Sequence, residues 1–207
     1  PEGQPFLHFL LEASDAAGFT EVSLVIAPGD EVTKEFSESW NRRPTGLRMR
    51  IETVLQPYPD GTGKAVKIAI ENDPIPQGFG FVVCNGDNLP SVKVLSKLRS
   101  EATGQALIGY NLESLGLPAD RAKAFALIQS SDGLLQKLVE KPSDSAWDYW
   151  LSNQPNREVS VNLFRLDPMQ IMPALEELKP HADRKEFELP SAVQSMADSN
   201  VRIEVIP

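Results

Sequence analysis

The sequence has few of the residues that carry metal or nucleophilic chemistry. Its 207 residues include one cysteine and two histidines. Cys84 has no cysteine partner within the chain, which fits a reducing compartment. His8 and His181 have no cysteine or histidine neighbour at ligand spacing, so no zinc site is predicted. A Gly-x-Ser-x-Gly elbow is absent as well, which leaves nucleophilic hydrolase chemistry without support.

Basic charge is also scarce. The chain carries 20 lysines and arginines against 29 aspartates and glutamates, a net charge of −9 with a pI near 4.8. A nucleic-acid polymer or an anionic membrane surface requires a basic face, so neither is a predicted partner. A single nucleotide is not excluded, because a few local cations and a divalent metal can neutralise its phosphates.

Long apolar runs are missing too. No stretch approaches the roughly 20 residues of a membrane-spanning helix, and the N-terminus lacks a signal-peptide pattern. With 41% hydrophobic and 24% charged residues the composition is typical of globular proteins. We therefore expect a cytoplasmic protein and a single domain over residues 1–207, whose core needs neither disulfides nor a metal.

Apolar patterns along the first half of the chain alternate between helix and strand. They predict helices at residues 5–17, 31–40, 64–70 and 91–100, and strands at 21–27, 51–56 and 81–84. Residues 22–26 and 81–84 are almost uniformly apolar, which is typical of strands buried on both faces of a parallel sheet. We predict an α/β fold of three layers, with helices on both faces of a mixed, mostly parallel sheet.

The second half continues this pattern less regularly. It predicts strands at 104–110, 159–166 and 201–206, a hairpin of 125–128 with 134–139, and helices at 168–178 and 189–198, the first of them capped by Asp167. Residues 111–120 resemble an inserted loop, and 143–157 a loop with a partial helix. For Trp147, Tyr149 and Trp150 in that segment, local packing is favoured over a partner surface.

Two local features point to a ligand site. Asp60-Gly61-Thr62-Gly63 forms a sharp bend whose glycines let backbone approach a ligand, and the helix that follows presents free N–H groups to anions or carbonyls. Asp87 comes just after the carboxyl end of an apolar strand, the edge at which open α/β sheets bind ligands. A single carboxylate there suits Mg²⁺, although Asn-Gly-Asp alone is more often a turn.

Several short motifs follow one another along the chain: Gly3-Gln4-Pro5, Gln56, Gly61-Thr62-Gly63-x-Ala65, Asn85-Gly86-Asp87 and Leu138-Val139-Glu140-Lys141-Pro142. In this order they resemble the signatures of the sugar-1-phosphate nucleotidyltransferase family, over nearly the whole chain. No Walker loop or G-x-G-x-x-G motif competes with that assignment. The resemblance implies a GT-A-like nucleotide-diphospho-sugar transferase fold. It also implies that a nucleoside triphosphate and a sugar 1-phosphate are joined, with release of pyrophosphate.

The resemblance also assigns roles. In a nucleotide-binding part of about residues 1–103, Gln56, Gly61, Thr62 and Gly86 would contact the nucleotide, and Asp87 would be the catalytic residue that holds magnesium. In a sugar-phosphate-binding part of about residues 104–207, Glu140, Lys141 and Asn162 would contact the sugar phosphate. Without the resemblance these residues have ordinary interpretations. Gln56 would be a surface glutamine, Glu140 and Lys141 an exposed ion pair, and Asn162 a strand asparagine with its hydrogen bonds satisfied.

The chain departs from the family pattern at several points. Gln4 replaces a lysine, and Ala124-Phe125 stands where Tyr-Gly is usual. The family's glycine-rich triphosphate loop would precede Pro1, and its second metal-binding aspartate would follow Pro207.

Two interpretations stay open: an enzyme whose longer chain supplies these parts, or a catalytically inactive domain that binds a nucleotide or a partner protein. Base, sugar and oligomeric state are open too, a homo-oligomer included. Arg42-Arg43-Pro44 is predicted to form a loop, in which Arg42 and Arg43 lie in a solvated turn.

Overall fold

Helices and strands alternate along the first half of the chain, as the apolar pattern predicts. The computed structural model describes residues 3–43, 49–182 and 184–207. The first half contains, in chain order, α1 (Phe6–Ala16), β1 (Glu21–Ile26), α2 (Glu31–Asn41), β2 (Arg50–Leu55), α3 (Thr62–Asn72), β3 (Phe81–Val83) and α4 (Val92–Ser96), which runs into a π-helical stretch at Lys97–Glu101.

The second half is richer in strands. It contains β4 (Gln105–Ile108), β5 (Tyr110–Asn111), a 3₁₀ turn at Glu113–Leu115, α5 (Ala119–Ala122), β6 (Ala126–Ser131), β7 (Leu134–Val139), α6 (Asp144–Asn153), β8 (Glu158–Ser160), β9 (Phe164–Leu166), α7 (Pro168–Glu176), α8 (Leu189–Asp198) and β10 (Ile203–Ile206). The hairpin β6–β7 turns at Asp132 and Gly133, both with positive φ. Asp167 accepts a hydrogen bond from the Met169 N–H and so caps the start of α7.

Three predictions for this half were wrong in detail. Residues 159–166 do not form one strand: β8 and β9 are separated at Asn162, which has a φ of +61°. Residues 143–157 contain a regular helix, α6, which is capped by the hydroxyl of Ser143. The predicted loop at 111–120 begins with the last residue of β5 and contains a 3₁₀ turn. Strands β5, β8 and β9 have only two or three residues each, so their period is hard to recognise without their neighbours.

The strands form two sheets. β1 pairs with β2 in one, and the other has the order β3-β9-β4-β10-β7-β6-β8-β5. The predicted mixed character is confirmed, but among the described strands only the pairs β1–β2 and β4–β10 are parallel, while six pairs are antiparallel. The hairpin strands, β8 and the reversed strand β9 account for the difference, because every antiparallel pair includes at least one of them.

The strands β1 and β3 are less buried than their sequences predict. Every residue of 22–26 and of 81–84 is only partly buried, although both runs are almost entirely apolar. In the part of the chain that the structure describes, each of these two strands hydrogen-bonds to a neighbour on one side only. Because a strand at a sheet edge lacks one lateral neighbour, its side chains and one row of its peptide groups remain partly accessible.

Helices cover both faces of the larger sheet, and the alternation along β4 shows why. Leu107 points into a core formed with α3, α7 and α8, whereas Ala106 and Ile108 point into a second core formed with α1 and α4. Successive strand residues face opposite sides, so an apolar strand needs a helix layer on each. This arrangement supports the three-layer prediction for the larger sheet.

Aromatic residues anchor two smaller clusters. Trp147 and Trp150 are buried against β6 and β8, and the Trp150 indole donates to the carbonyl of Ile128, so the prediction of local packing is confirmed for these two tryptophans.

In the other cluster Arg43 stacks 4.2 Å from the ring of Trp40 and donates to His8. The solvated turn predicted for Arg43 is therefore wrong, whereas Arg42 is exposed. Pro44, which was predicted to continue that turn, lies outside the described residues.

A membrane-spanning helix does not occur among the described residues, since none of their helices has both the length and the apolar character that a bilayer crossing requires.

Candidate active site

The turn at Gly61 is held by backbone hydrogen bonds from a distant part of the chain. The Phe187 N–H donates to the carbonyl of Asp60, and the Gly63 N–H donates to the carbonyl of Phe187, both at 2.7 Å. The ring of Phe187 also lies against Lys64, whose ammonium is 4.5 Å from the ring centre. Phe187 therefore fixes the turn to the segment that leads into α8.

Gly61 is required by this contact. Its φ is +118°, and a Cβ atom placed there would lie 2.5 Å from the carbonyl oxygen and 2.6 Å from the nitrogen of Phe187. Only glycine combines such a φ with so close an approach of another backbone. The space above the turn that was expected to admit a ligand is thus occupied, at Gly61, by the chain itself. Contact between Gly61 and a nucleotide stays a prediction.

Gln56 and Thr62 already have partners within the fold. The Gln56 amide nitrogen lies 3.2 Å from both the Asp60 carboxylate and the Gly61 carbonyl, and the Thr62 hydroxyl accepts from the Leu189 N–H at 3.0 Å. The amide oxygen of Gln56 has no hydrogen-bond partner among the described residues, so it can still accept a bond from a ligand. Gln56 is thereby oriented with its acceptor available.

Asp87 and Gly86 lie in the loop after β3, and both are exposed. The carboxylate of Asp87 makes no hydrogen bond or ion pair with any described residue. Its neighbour Asn88 donates to the carbonyl of Val161 at 2.5 Å, which ties this loop to the segment between β8 and β9. The register of β3 with β9, in which Val83 faces Phe164, places the two loops at one end of adjacent strands.

Glu140 and Asn162 lie at one end of the β7-β6-β8 part of the sheet. Val139 faces Leu127 on β6, and Ala126 in turn faces Ser160 on β8. Glu140 therefore follows the end of β7 two strands away from Ser160, a lateral separation of about 10 Å. Asn162 comes two residues after Ser160, so the predicted sugar contacts follow two strand ends that have β6 between them.

The backbone is unusual at two of the predicted sugar-phosphate residues. Lys141 and Asn162 have φ values of +44° and +61°. Asparagine tolerates the left-handed region, but lysine rarely adopts it, and such residues concentrate at functional sites. The Oδ1 atom of Asn162 is buried and has no hydrogen-bond partner among the described residues. A buried acceptor without a donor is unfavourable, so this atom is suited to a ligand hydroxyl or amine.

The carboxyl group of Glu140 is partly buried, with charged groups of both signs around it. Burial, with the nearby charge of Glu188, raises the pKa of Glu140 to about 7. Arg184 and His181 oppose this effect. Glu188 is only 6% exposed, and burial raises its pKa too. Arg184 pairs with both Glu188 and Glu186, so its positive charge is divided between two carboxylates.

Sequence reasoning missed Arg184, Phe187 and Glu188. The stretch Arg184-Lys185-Glu186-Phe187-Glu188 carries charges of both signs and resembles a solvated loop, with no motif or spacing that marks a site. Its importance comes from tertiary contacts: Phe187 reaches the Gly61 turn, and Glu188 and Arg184 act on Glu140. The structure thus connects the predicted nucleotide turn to the predicted sugar residues through this segment.

The side chains of the described residues can be compared with the ligands that a magnesium ion requires. No group of three or more histidine, cysteine, aspartate or glutamate side chains that could enclose a metal occurs among the described residues. Magnesium does not need such a group, because it binds one or two carboxylates and takes phosphate oxygens and water for the rest. The exposed and unpaired carboxylate of Asp87 fits a metal held in that way.

Sequence comparisons identify relatives across most of the chain. The family model for nucleotidyl transferase matches residues 2–205. Two curated relatives are bifunctional GlmU proteins. The protein from Sorangium cellulosum (strain So ce56) is 32% identical over 98 residues, 47% of this chain, and that from Shouchella clausii (strain KSM-K16) is 24% identical over 194 residues, 92% of this chain. The chain spans 20% and 38% of the lengths of these relatives, respectively.

Solved structures show the same fold. A UDP-glucose pyrophosphorylase complexed with UDP-glucose superposes with a TM-score of 0.71 at 15% identity, over 99% of this chain and 79% of that one. An apo UDP-glucose pyrophosphorylase gives a TM-score of 0.68 at 17% identity, over 98% of this chain and 79% of the other. At such identities the similarity establishes the architecture.

The contact between Gly61 and Phe187 predicts a large effect of Gly61→Ala. The new Cβ atom would collide with backbone and strain a positive φ, so the variant should lose roughly 2–4 kcal/mol of unfolding free energy. Gly104→Ala is the matched control, because Gly104 has an ordinary φ and no heavy atom within 4 Å of its Cβ position. Chemical denaturation measures both. Equal stabilities would show that Phe187 does not pack on the turn.

The raised pKa of Glu140 predicts a pH-dependent effect of Glu140→Gln. The pKa is about 7 in the folded protein against an ordinary value of 4.5, so folding favours the protonated form and stability falls as pH rises between these values. Above pH ~7 the ionised Glu140 lowers the unfolding free energy of the wild type by its full amount. The glutamine variant should then be more stable than the wild type by about 1–3 kcal/mol. At pH ~5 the two should differ little. A difference independent of pH in thermal unfolding would contradict this.

Proposed function

The chain belongs to the nucleotidyl transferase family, and from this membership we propose that it serves a reaction in which a nucleoside triphosphate and a sugar 1-phosphate give a nucleotide-sugar and pyrophosphate. An oxygen of the sugar phosphate attacks the α-phosphorus of the nucleotide. The bond from that phosphorus to its bridging oxygen breaks, and pyrophosphate leaves. The protein needs no nucleophile of its own, so its contribution is to position the substrates and to stabilise charge.

The observation that carries this proposal is the buried Oδ1 atom of Asn162, which has no partner among the described residues. It lies across the sheet end from Glu140, whose carboxylate also makes no hydrogen bond or ion pair with a described residue. The strand ends that precede these two acceptors are about 10 Å apart, and we propose that the hydroxyl groups of one hexose ring donate to both. The exposed ammonium of Lys141 then provides a point charge for the sugar's phosphate.

We assign the nucleotide to the other part of the site, in about residues 1–103, and the sugar phosphate to about 104–207. The free amide oxygen of Gln56 accepts from a base N–H, and the exposed loop at Gly86 leaves room for the nucleotide beside Asp87. Asp87 is proposed to hold a magnesium ion, whose contribution when bound is to neutralise charge on the phosphate oxygens. A nucleoside triphosphate substrate and a lone thiol are consistent with the cytoplasmic location predicted from the sequence.

Asp87→Ala tests the metal carboxylate. An exposed carboxylate without partners contributes little to folding, so the variant should unfold like the wild type. It should nevertheless lose magnesium-dependent exchange of labelled pyrophosphate into nucleoside triphosphate, measured with the nucleotide-sugar present, by at least about a hundredfold, because charge on the phosphates is no longer balanced. Glu35→Ala, an exposed acid on α2, is the control and should retain exchange. Exchange retained in Asp87→Ala would remove Asp87 from the site.

Gln56→Ala and Glu140→Ala test the division of the site. Loss of the Gln56 amide leaves a base edge without its partner, so nucleotide binding should weaken by roughly 1–3 kcal/mol with less discrimination among bases. Glu140→Ala should instead weaken sugar-phosphate binding and spare the nucleotide. Calorimetric titration of both variants with a panel of nucleoside triphosphates and sugar phosphates measures this. Equal losses for all ligands in both variants would contradict the two-part site.

A further inference from the structure

The side-chain amide of Gln56 has its nitrogen turned into the fold. The Nε2 atom lies 3.2 Å from the Oδ1 atom of Asp60 and 3.2 Å from the carbonyl oxygen of Gly61. An amide nitrogen carries two hydrogens, so these two acceptors use both of them. The reversed orientation would place the amide oxygen against two other oxygens and is unfavourable. Gln56 therefore presents only its oxygen, Oε1, to a ligand, and this atom is an acceptor alone.

Asp60 contributes more to this orientation than Gly61 does. The Gly61 carbonyl also accepts a hydrogen bond from the Ala65 N–H, whereas the carboxylate of Asp60 has no other hydrogen-bond or ion-pair partner among the described residues. A hydrogen bond to an ionised carboxylate is also about twice as strong as a neutral one. Phe187 binds the backbone carbonyl of Asp60, so a change of the Asp60 side chain leaves the main-chain bonds of the turn in place.

On the basis of the function proposed above, we infer that Asp60 is a positioning residue that makes Gln56 selective for a base with a hydrogen on its ring nitrogen. Uracil, thymine and guanine carry such an N–H beside a ring carbonyl, and a single acceptor is its full complement. Cytosine and adenine have a lone pair at the equivalent nitrogen. A glutamine that reads adenine accepts from the exocyclic amine and donates to a ring nitrogen, and Gln56 has no donor left for the second bond.

Calorimetric titration with UTP, CTP, GTP and ATP tests the base preference. The wild-type protein should bind UTP at least about tenfold more tightly than CTP, or GTP than ATP, according to the base size that it accepts, because the disfavoured base leaves an acceptor unpaired. In Asp60→Ala the Gln56 amide is free to turn over and donate, so this ratio should fall to within about threefold. Asp60→Asn keeps an acceptor for the Gln56 nitrogen and should keep most of the preference. Glu35→Ala, which removes an exposed charge on α2, should leave it unchanged.

The orientation of Gln56 can be measured without any nucleotide. The exchange of its side-chain amide hydrogens with solvent, followed by NMR, should be at least about threefold slower in the wild type and in Asp60→Asn than in Asp60→Ala, because both hydrogens are bonded. Equal exchange rates in the wild type and Asp60→Ala would overturn the positioning role.

The remaining outcomes separate this inference from the proposed function. A wild-type protein that binds nucleotides without preferring the ring N–H would overturn the base selectivity, and so would a preference that persists in Asp60→Ala. Either result leaves the nucleotidyltransferase proposal intact. The wild-type comparison also decides the selectivity if Asp60→Ala fails to fold. If no nucleoside triphosphate binds, the proposed function fails and the base selectivity fails with it.

Discussion

The site depends on a two-bond backbone bridge between Phe187 and the turn at residues 60–63. This bridge joins two parts of the chain more than a hundred residues apart, and the Leu189 N–H bond to the Thr62 hydroxyl reinforces it. Because the turn begins α3 and Phe187 leads into α8, the bridge fixes how these helices pack on the larger sheet. It also fixes the orientation of Gln56, whose amide donates into the same turn. The fold itself therefore fixes the turn that carries the predicted nucleotide contacts.

A second constraint is the partly buried carboxyl group of Glu140. Arg184 forms ion pairs with both Glu186 and Glu188, and Glu140 has no ion-pair partner among the described residues. Such an arrangement opposes folding when Glu140 is ionised, and it is retained beside left-handed backbone at Lys141. Strain and uncompensated charge in one place are typical of positions that are kept for binding.

The sequence predicted most elements of the fold, because amphipathic periods and capping residues are local signals. Helices α1, α2, α3, α7 and α8 and the hairpin β6–β7 follow directly from apolar spacing and from turn residues such as Asp132 and Gly133. The mostly parallel sheet was not confirmed, because strand direction depends on which strands become neighbours, and β9 inserts antiparallel between β3 and β4. Likewise, the apolar run of β1 could not reveal that it has a neighbour on one side only.

The sequence alone determined the family, through the order of the short motifs. By the same resemblance it predicted Gln56, Asp87, Glu140, Lys141 and Asn162 as site residues. The tertiary structure alone decided what surrounds them. It placed Phe187 on the Gly61 turn, Glu188 near Glu140, and the loop of Asp87 against Val161. A side chain's chemical type is encoded at its own position. Its burial, its partners and the field around it come from residues far away in the chain, which only folding brings together.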